Sequence, residues 1–172
     1  FFSVAAEQAY YQAALMLEVP LEAGKRVAVI CEGDPFFYGS FMYLFERLSE
    51  RFMTEIVPGV SSPMAGAAVL KTPLVSRNEV LTILPGPLEE ADLEQRLLNT
   101  DAAVIMKVGR HLPKIRRVLR HLRLEHSAHY VEHATMPNQQ IIPIENLEAQ
   151  NVPYFSMILV RKIKSHLKSG VV

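Results

Sequence analysis

The stretch Val27-Ala28-Val29-Ile30-Cys31-Glu32-Gly33-Asp34-Pro35-Phe36-Phe37-Tyr38-Gly39-Ser40 decides the fold class. Its first half is an apolar, β-branched run of the kind that forms a buried parallel strand. Gly33-Asp34-Pro35 stops the run in a tight turn. The carboxyl end of a parallel strand is where open α/β sheets bind ligands, and a glycine there lets a ligand approach the backbone. Asp34 can accept hydrogen bonds from hydroxyls or an amine; as a turn residue it also has a purely structural reading. The loop has no lysine, so it is not a P-loop. It does not match Gly-x-Gly-x-x-Gly either, which disfavours a dinucleotide fold. A second marked turn, Pro58-Gly59-Val60-Ser61-Ser62-Pro63, follows the short apolar stretch 54–57. It reads either as a plain helix cap or as a backbone-and-hydroxyl contact to a polar ligand. Together the two turns suggest one cleft lined by strand-end loops.

Outward from these turns the pattern alternates. Residues 3–18 read as a helix that Pro20 and Gly24 end. Residues 27–31 read as a strand, 40–52 as an amphipathic helix with Phe41, Leu44, Phe45 and Leu48 on one face, and 54–57 as a short strand. Ser61 or Ser62 caps a small helix through Leu70, with Pro63 in its first turn. After a connector, a second half begins near Asn78. Strands are expected at 80–84, 102–107, 128–132, 139–144 and 155–163, and helices at 89–98 and 112–122. Residues 164–172 read as a frayed tail. Strands alternating with helices indicate an α/β protein. The last three strands lack full crossover helices, so the second sheet is expected to be mixed. The expected domains are 1–77, an incomplete N-terminal α/β domain, and 78–172, a C-terminal α/β domain.

Composition narrows the function classes. The 172 residues carry 18 Lys and Arg against 18 Asp and Glu, a formal net charge of zero, which argues for neither nucleic-acid nor acidic-membrane partners. Cys31 is the single cysteine, so no internal disulfide is possible and a reducing, cytoplasmic setting is expected. No apolar run approaches the ~20 residues needed to cross a bilayer. The first residue is Phe and 5–17 already reads as a helix in progress, so the sequence is read as beginning inside a longer chain.

Other chemistry-bearing residues have plainer explanations. His121, His126, His129 and His133 cluster in sequence, but their spacing matches no zinc pattern and Cys31 is distant, so no metal site is expected. Lys114, Arg116, Arg117, Arg120 and Arg123 read as a solvated helix face. The sharper alternative is a grip on an anionic ligand by Arg116, Arg120 and Arg123, which share a face. Met106, at a strand end, has core filling as its ordinary role.

With these residues in hand, the chain resembles the tetrapyrrole (corrin/porphyrin) methylases. The resemblance rests on Cys31 to Ser40, on Pro58-Gly59-Val60-Ser61-Ser62, on Val104-Ile105-Met106-Lys107 and on Phe155-Ser156-Met157-Ile158-Leu159-Val160. It implies two α/β domains, the N-terminal one with a parallel sheet whose first strand is missing here and the C-terminal one with a mixed sheet. S-adenosylmethionine is implied in the cleft between them, with a homodimer as the usual assembly. Cofactor contacts are implied at Glu32, Gly33, Asp34 and Phe37, at Ser61 and Ser62, at Met106, and at Ala134. Family members open with a first strand and a Gly-x-Gly-Pro-Gly-Asp-Pro loop, which this sequence lacks.

The resemblance further implies methyl transfer to a meso carbon of a reduced tetrapyrrole in cobalamin biosynthesis, giving S-adenosylhomocysteine. The electron-rich macrocycle needs no activated nucleophile, so alignment and exclusion of water are the protein's main tasks. Tyr38 is the candidate general base for the displaced meso proton, with simple packing as the competing reading. Arg77, Lys107 and Arg110 are candidates for the substrate's carboxylates. Two alternatives stay open: another acceptor (a different corrin intermediate, uroporphyrinogen III, a diphthine precursor or ribosomal RNA), or a non-catalytic S-adenosyl nucleotide-binding module.

Overall fold

The computed structural model describes residues 4–148 and 152–162. The tail expected at 164–172, and the end of the strand expected at 155–163, lie outside the described residues. By contact the chain divides into two compact units, Phe1–Ser61 and Ser62–Val172.

The first unit is built on two helices, α1 (Val4–Glu22) and α2 (Phe41–Leu48). Ala14 and Leu48 are buried, the Tyr10 and Tyr43 rings lie 4.9 Å apart, and Arg51 bridges to Glu18 at 2.7 Å and Glu22 at 2.8 Å. Pro20 does not end α1 as expected; the helix runs through it to Glu22. A proline costs most in a helix interior, where it removes a bond and strikes the carbonyl four residues back. Pro20 sits in the last turn, where little helix remains to be disrupted. Gly24, the other residue expected to end the helix, does so. Its φ of +72° closes a Schellman turn, with Gly24 N–H donating to Leu21 O at 3.0 Å and Lys25 N–H to Pro20 O at 3.0 Å.

The strands expected at 27–31 and 54–57 are a correction at the level of elements. Neither stretch forms a ladder. A strand exists through its neighbour, and among the described residues no backbone group of either stretch pairs with other backbone. Both stretches instead border an apolar groove of about 770 Å³, floored by Leu17, Leu21, Leu44, Phe45 and Leu48.

The second unit holds α3 (Ser62–Val69), β1 (Leu81–Pro85), α4 (Glu90–Leu98), β2 (Ala102–Met106), α5 (Leu112–His121), β3 (Ala128–Glu132), β4 (Gln140–Pro143) and β5 (Ser156–Arg161). The sheet order is β1-β2-β5-β3-β4. β1 pairs parallel with β2, and β5 runs antiparallel between β2 and β3. The sheet is mixed, as expected. β1, β2 and β3 therefore point the same way, and Pro85, Met106 and Glu132 end on one edge.

Strand alternation sorts the side chains into two layers. Ala103, Ile105, Tyr130, Ile158 and Val160 pack with Leu93 and Leu97 of α4 and Leu112, Ile115, Val118 and Leu119 of α5. On the other face Val104, Val131, Met157 and Leu159 pack with Ala67 and Val69 of α3 and with Leu70 and Leu74. The second unit is thus a three-layer α/β arrangement.

Candidate functional site

In the first unit, the two turns singled out by sequence lie against one another. Gly33 has a φ of +74°. Gly59 packs so closely on the Gly33 peptide that a Cβ there would lie 2.1 Å from Gly33 O. Only glycine permits this approach. Asp34 spans the two turns: its Oδ1 accepts from Phe36 N–H at 2.9 Å and its Oδ2 from Gly59 N–H at 3.0 Å. The Gly59 N–H, and then that of Phe36, hold the Asp34 carboxyl below its ordinary range. Both carboxylate oxygens are thus already engaged by backbone. Glu32 and Gly33 are exposed, and Phe37 and Ser61 are half-buried. The Phe37 ring meets Tyr38 edge-on at 5.1 Å.

In the second unit, Ser62 opens α3, Met106 closes β2, and Ala134 lies in the loop after β3. Met106 and Ala134 both pack against the cluster of Val104, Val131, Met157 and Leu159, the face that α3 covers. Met106 is paired with Pro85 and Met157, and its carbonyl accepts from Gly86 N–H at 2.7 Å. Glu32, Gly33, Asp34, Phe37 and Ser61 thus belong to the first unit, and Ser62, Met106 and Ala134 to the second.

Four of the seven non-glycine residues with positive φ adjoin these places; Lys71, Arg77 and Arg123 do not. Tyr38 (φ +54°), Lys107 (+56°), His133 (+49°) and Thr135 (+69°) are left-handed without being glycine. Each adjoins an expected contact: Tyr38 follows Phe37, Lys107 follows Met106, and His133 and Thr135 flank Ala134. Such residues cost on the order of 1–3 kcal/mol each and concentrate at functional sites. The Ala134 loop is tied down by His133 N–H to Phe155 O at 2.8 Å and by Thr135 N–H to Gln139 Oε1 at 2.8 Å.

Sequence reasoning did not single out Tyr130 and Glu132, which are buried just before that loop with the phenol donating to Glu132 Oε2. Burial first, and then Glu132, push the Tyr130 phenol well above its ordinary range. The available signal was their alternation on one strand face. Nor was Gly59 singled out as the partner of Asp34, because the two are 25 residues apart.

The basic helix serves structure. Arg117 pairs with Glu90 at 2.7 Å, Arg120 with Glu125 at 3.4 Å, Arg116 donates to Leu147 O at 3.0 Å, and Lys114 donates to Leu88 O. Among the described residues no three His, Cys, Asp or Glu side chains converge as metal ligands. No helix among them is long and apolar enough to cross a membrane.

The family description "Tetrapyrrole (Corrin/Porphyrin) Methylases" matches residues 3–149. The chain belongs to the tetrapyrrole methylase family. It is 45% identical to a precorrin-2 C(20)-methyltransferase of Sinorhizobium sp over 88% of this chain and 62% of that protein. It is 41% identical to the cobalamin biosynthesis protein CobIJ of Mycobacterium bovis over 92% of this chain and 31% of that protein. A cobalt-precorrin-2 C(20)-methyltransferase of Salmonella typhimurium is 34% identical, over 91% of this chain and 67% of that protein. The chain thus spans 62% of the Sinorhizobium protein and 31% of CobIJ. The tetrapyrrole methylase fold is shared with the cobalt precorrin-4 methyltransferase CbiF, at a TM-score of 0.71 and 22% identity over 88% of this chain and 70% of that one. It is shared also with a uroporphyrin-III C-methyltransferase of Thermus thermophilus complexed with S-adenosyl homocysteine, at a TM-score of 0.54 and 23% identity over 76% of this chain and 63% of that one.

Proposed function

We propose that this tetrapyrrole methylase transfers a methyl group from S-adenosylmethionine to the C(20) meso carbon of precorrin-2, or of its cobalt-bearing counterpart, in cobalamin biosynthesis. The observation that carries the reading is the 45% identity to a precorrin-2 C(20)-methyltransferase over 88% of this chain. The alternatives, another acceptor or a binding module without activity, have no observation here that favours them.

The residues present suit the cofactor. Gly33 and Gly59 expose backbone free of side chains, which suits close approach of a ligand. Glu32 offers an exposed acceptor for hydroxyl or amino groups. Met106 and Ala134, on the apolar cluster of the second unit, suit a flat heterocycle. Glu32, Gly33, Phe37, Ser61, Ser62, Met106 and Ala134 are proposed to hold S-adenosylmethionine, which supplies an electrophilic sulfonium methyl when bound, and Asp34 to contribute through the turns that it joins.

The chain's own contribution is to orient the acceptor and exclude water. Arg77, Lys107 and Arg110 are proposed to pair with the acceptor's carboxylates, and Tyr38 is the candidate for the meso proton, with simple packing as the competing reading. The proposed domains are 1–77 and 78–172. A homodimer in the cytoplasm is the proposed setting.

Calorimetric titration of the full-length protein with S-adenosylhomocysteine tests the cofactor. Micromolar, one-to-one binding is expected. No heat at millimolar ligand sinks the methyltransferase reading.

A further inference from the structure

We propose that Asp34 and Gly59 form a positioning pair: the carboxylate acts as a clamp that fastens the second turn to the first, rather than as a free acceptor for the ligand. The proposal deepens the reading of the first turn as a cofactor loop and rests on it. Two observations converge. Asp34 Oδ1 and Oδ2 each already accept a backbone N–H, from Phe36 and Gly59. The Gly59 backbone sits against the Gly33 peptide, with the space for a Cβ closed by Gly33 O at 2.1 Å, Gly33 C at 2.8 Å and Asp34 Cα at 3.2 Å.

The physical consequence is a division of labour. Charge-assisted hydrogen bonds from backbone N–H to a carboxylate are short and strong. A single Asp34 side chain thereby keeps Gly33 and Gly59 in contact. The paired turns then present their backbone as one surface. Gly59 needs no direct contact with ligand for its substitution to matter, because any Cβ there prises the turns apart. Asp34 likewise acts through Gly59.

The test is a double-mutant cycle on the full-length protein, using S-adenosylhomocysteine as the probe. Asp34→Ala and Gly59→Ala are each expected to weaken binding about tenfold or more, the size of a lost charge-assisted hydrogen bond. If the two act only through each other, the double variant is no weaker than either single one. Losses that multiply in the double variant overturn the proposal, because they mean that Asp34 serves the ligand by itself. Amide hydrogen exchange in the ligand-free protein reads the clamp without any cofactor. The Gly59 amide is expected to be protected in the wild type and to exchange at least tenfold faster in Asp34→Ala. A Gly59 amide that exchanges equally fast in both overturns the clamp. A wild type with a protected Gly59 amide but no nucleotide binding overturns the cofactor reading and leaves the clamp standing.

Discussion

Asp34 concentrates the chemistry of the first unit in one side chain. Backbone donors lower its folded value below the ordinary 3.8. A depressed carboxylate favours the folded state at pH above its unfolded value, and that contribution is lost as pH falls through the folded value. An Asp34→Asn variant keeps one acceptor and has no charge to lose. Its thermal midpoint is expected to lie below the wild type at about pH 6 and to converge on it toward about pH 3. Scanning calorimetry across that range checks this; two parallel curves would refute the role given to Asp34. Glu79, lowered by the Ser76 N–H, and Glu90, lowered by Arg117, shape the acid limb of both proteins alike. At this scale, sequence shows that Asp34 lies in a turn but not which groups its oxygens meet. One partner is two residues away and follows from turn chemistry; the other is 25 residues away and comes only with the fold.

The elements of the second unit were legible because their periodicities are clean. β3 occupies 128–132 as expected, and α5 carries Leu112, Ile115, Val118 and Leu119 at helical spacing, all essentially without exposure. Two features of the first unit were not legible, for local reasons. Pro20 was read as a stop, yet a proline in a last turn leaves little helix to break. The apolar stretch 27–31 has strand composition, but composition cannot supply a neighbour. The division into layers predicts that core and site are separable. Leu119, fully buried between α5 and the sheet, faces away from the Met106 and Ala134 side. Leu119→Ala is expected to cost about 2–5 kcal/mol in denaturant unfolding. Its affinity for S-adenosylhomocysteine should stay within about twofold of wild type, as for sites without shared partners. A tenfold loss of affinity at unchanged stability would contradict that separation.

At the scale of the molecule, the balance of 18 basic and 18 acidic residues gives no net charge to attract a polyanion, which argues mildly against an RNA acceptor. Of the seven non-glycine residues with positive φ, Tyr38, Lys107, His133 and Thr135 adjoin residues proposed to hold the cofactor, while Lys71, Arg77 and Arg123 do not. The central claim is methyl transfer to precorrin-2, and one measurement meets it directly. Full-length protein is incubated anaerobically with precorrin-2 and S-adenosylmethionine carrying a labelled methyl, and the product is read by mass spectrometry and carbon NMR. The account predicts a singly methylated product with the label at C(20) and stoichiometric S-adenosylhomocysteine. Label transferred to uroporphyrinogen III or another acceptor, with precorrin-2 left unchanged, would contradict it.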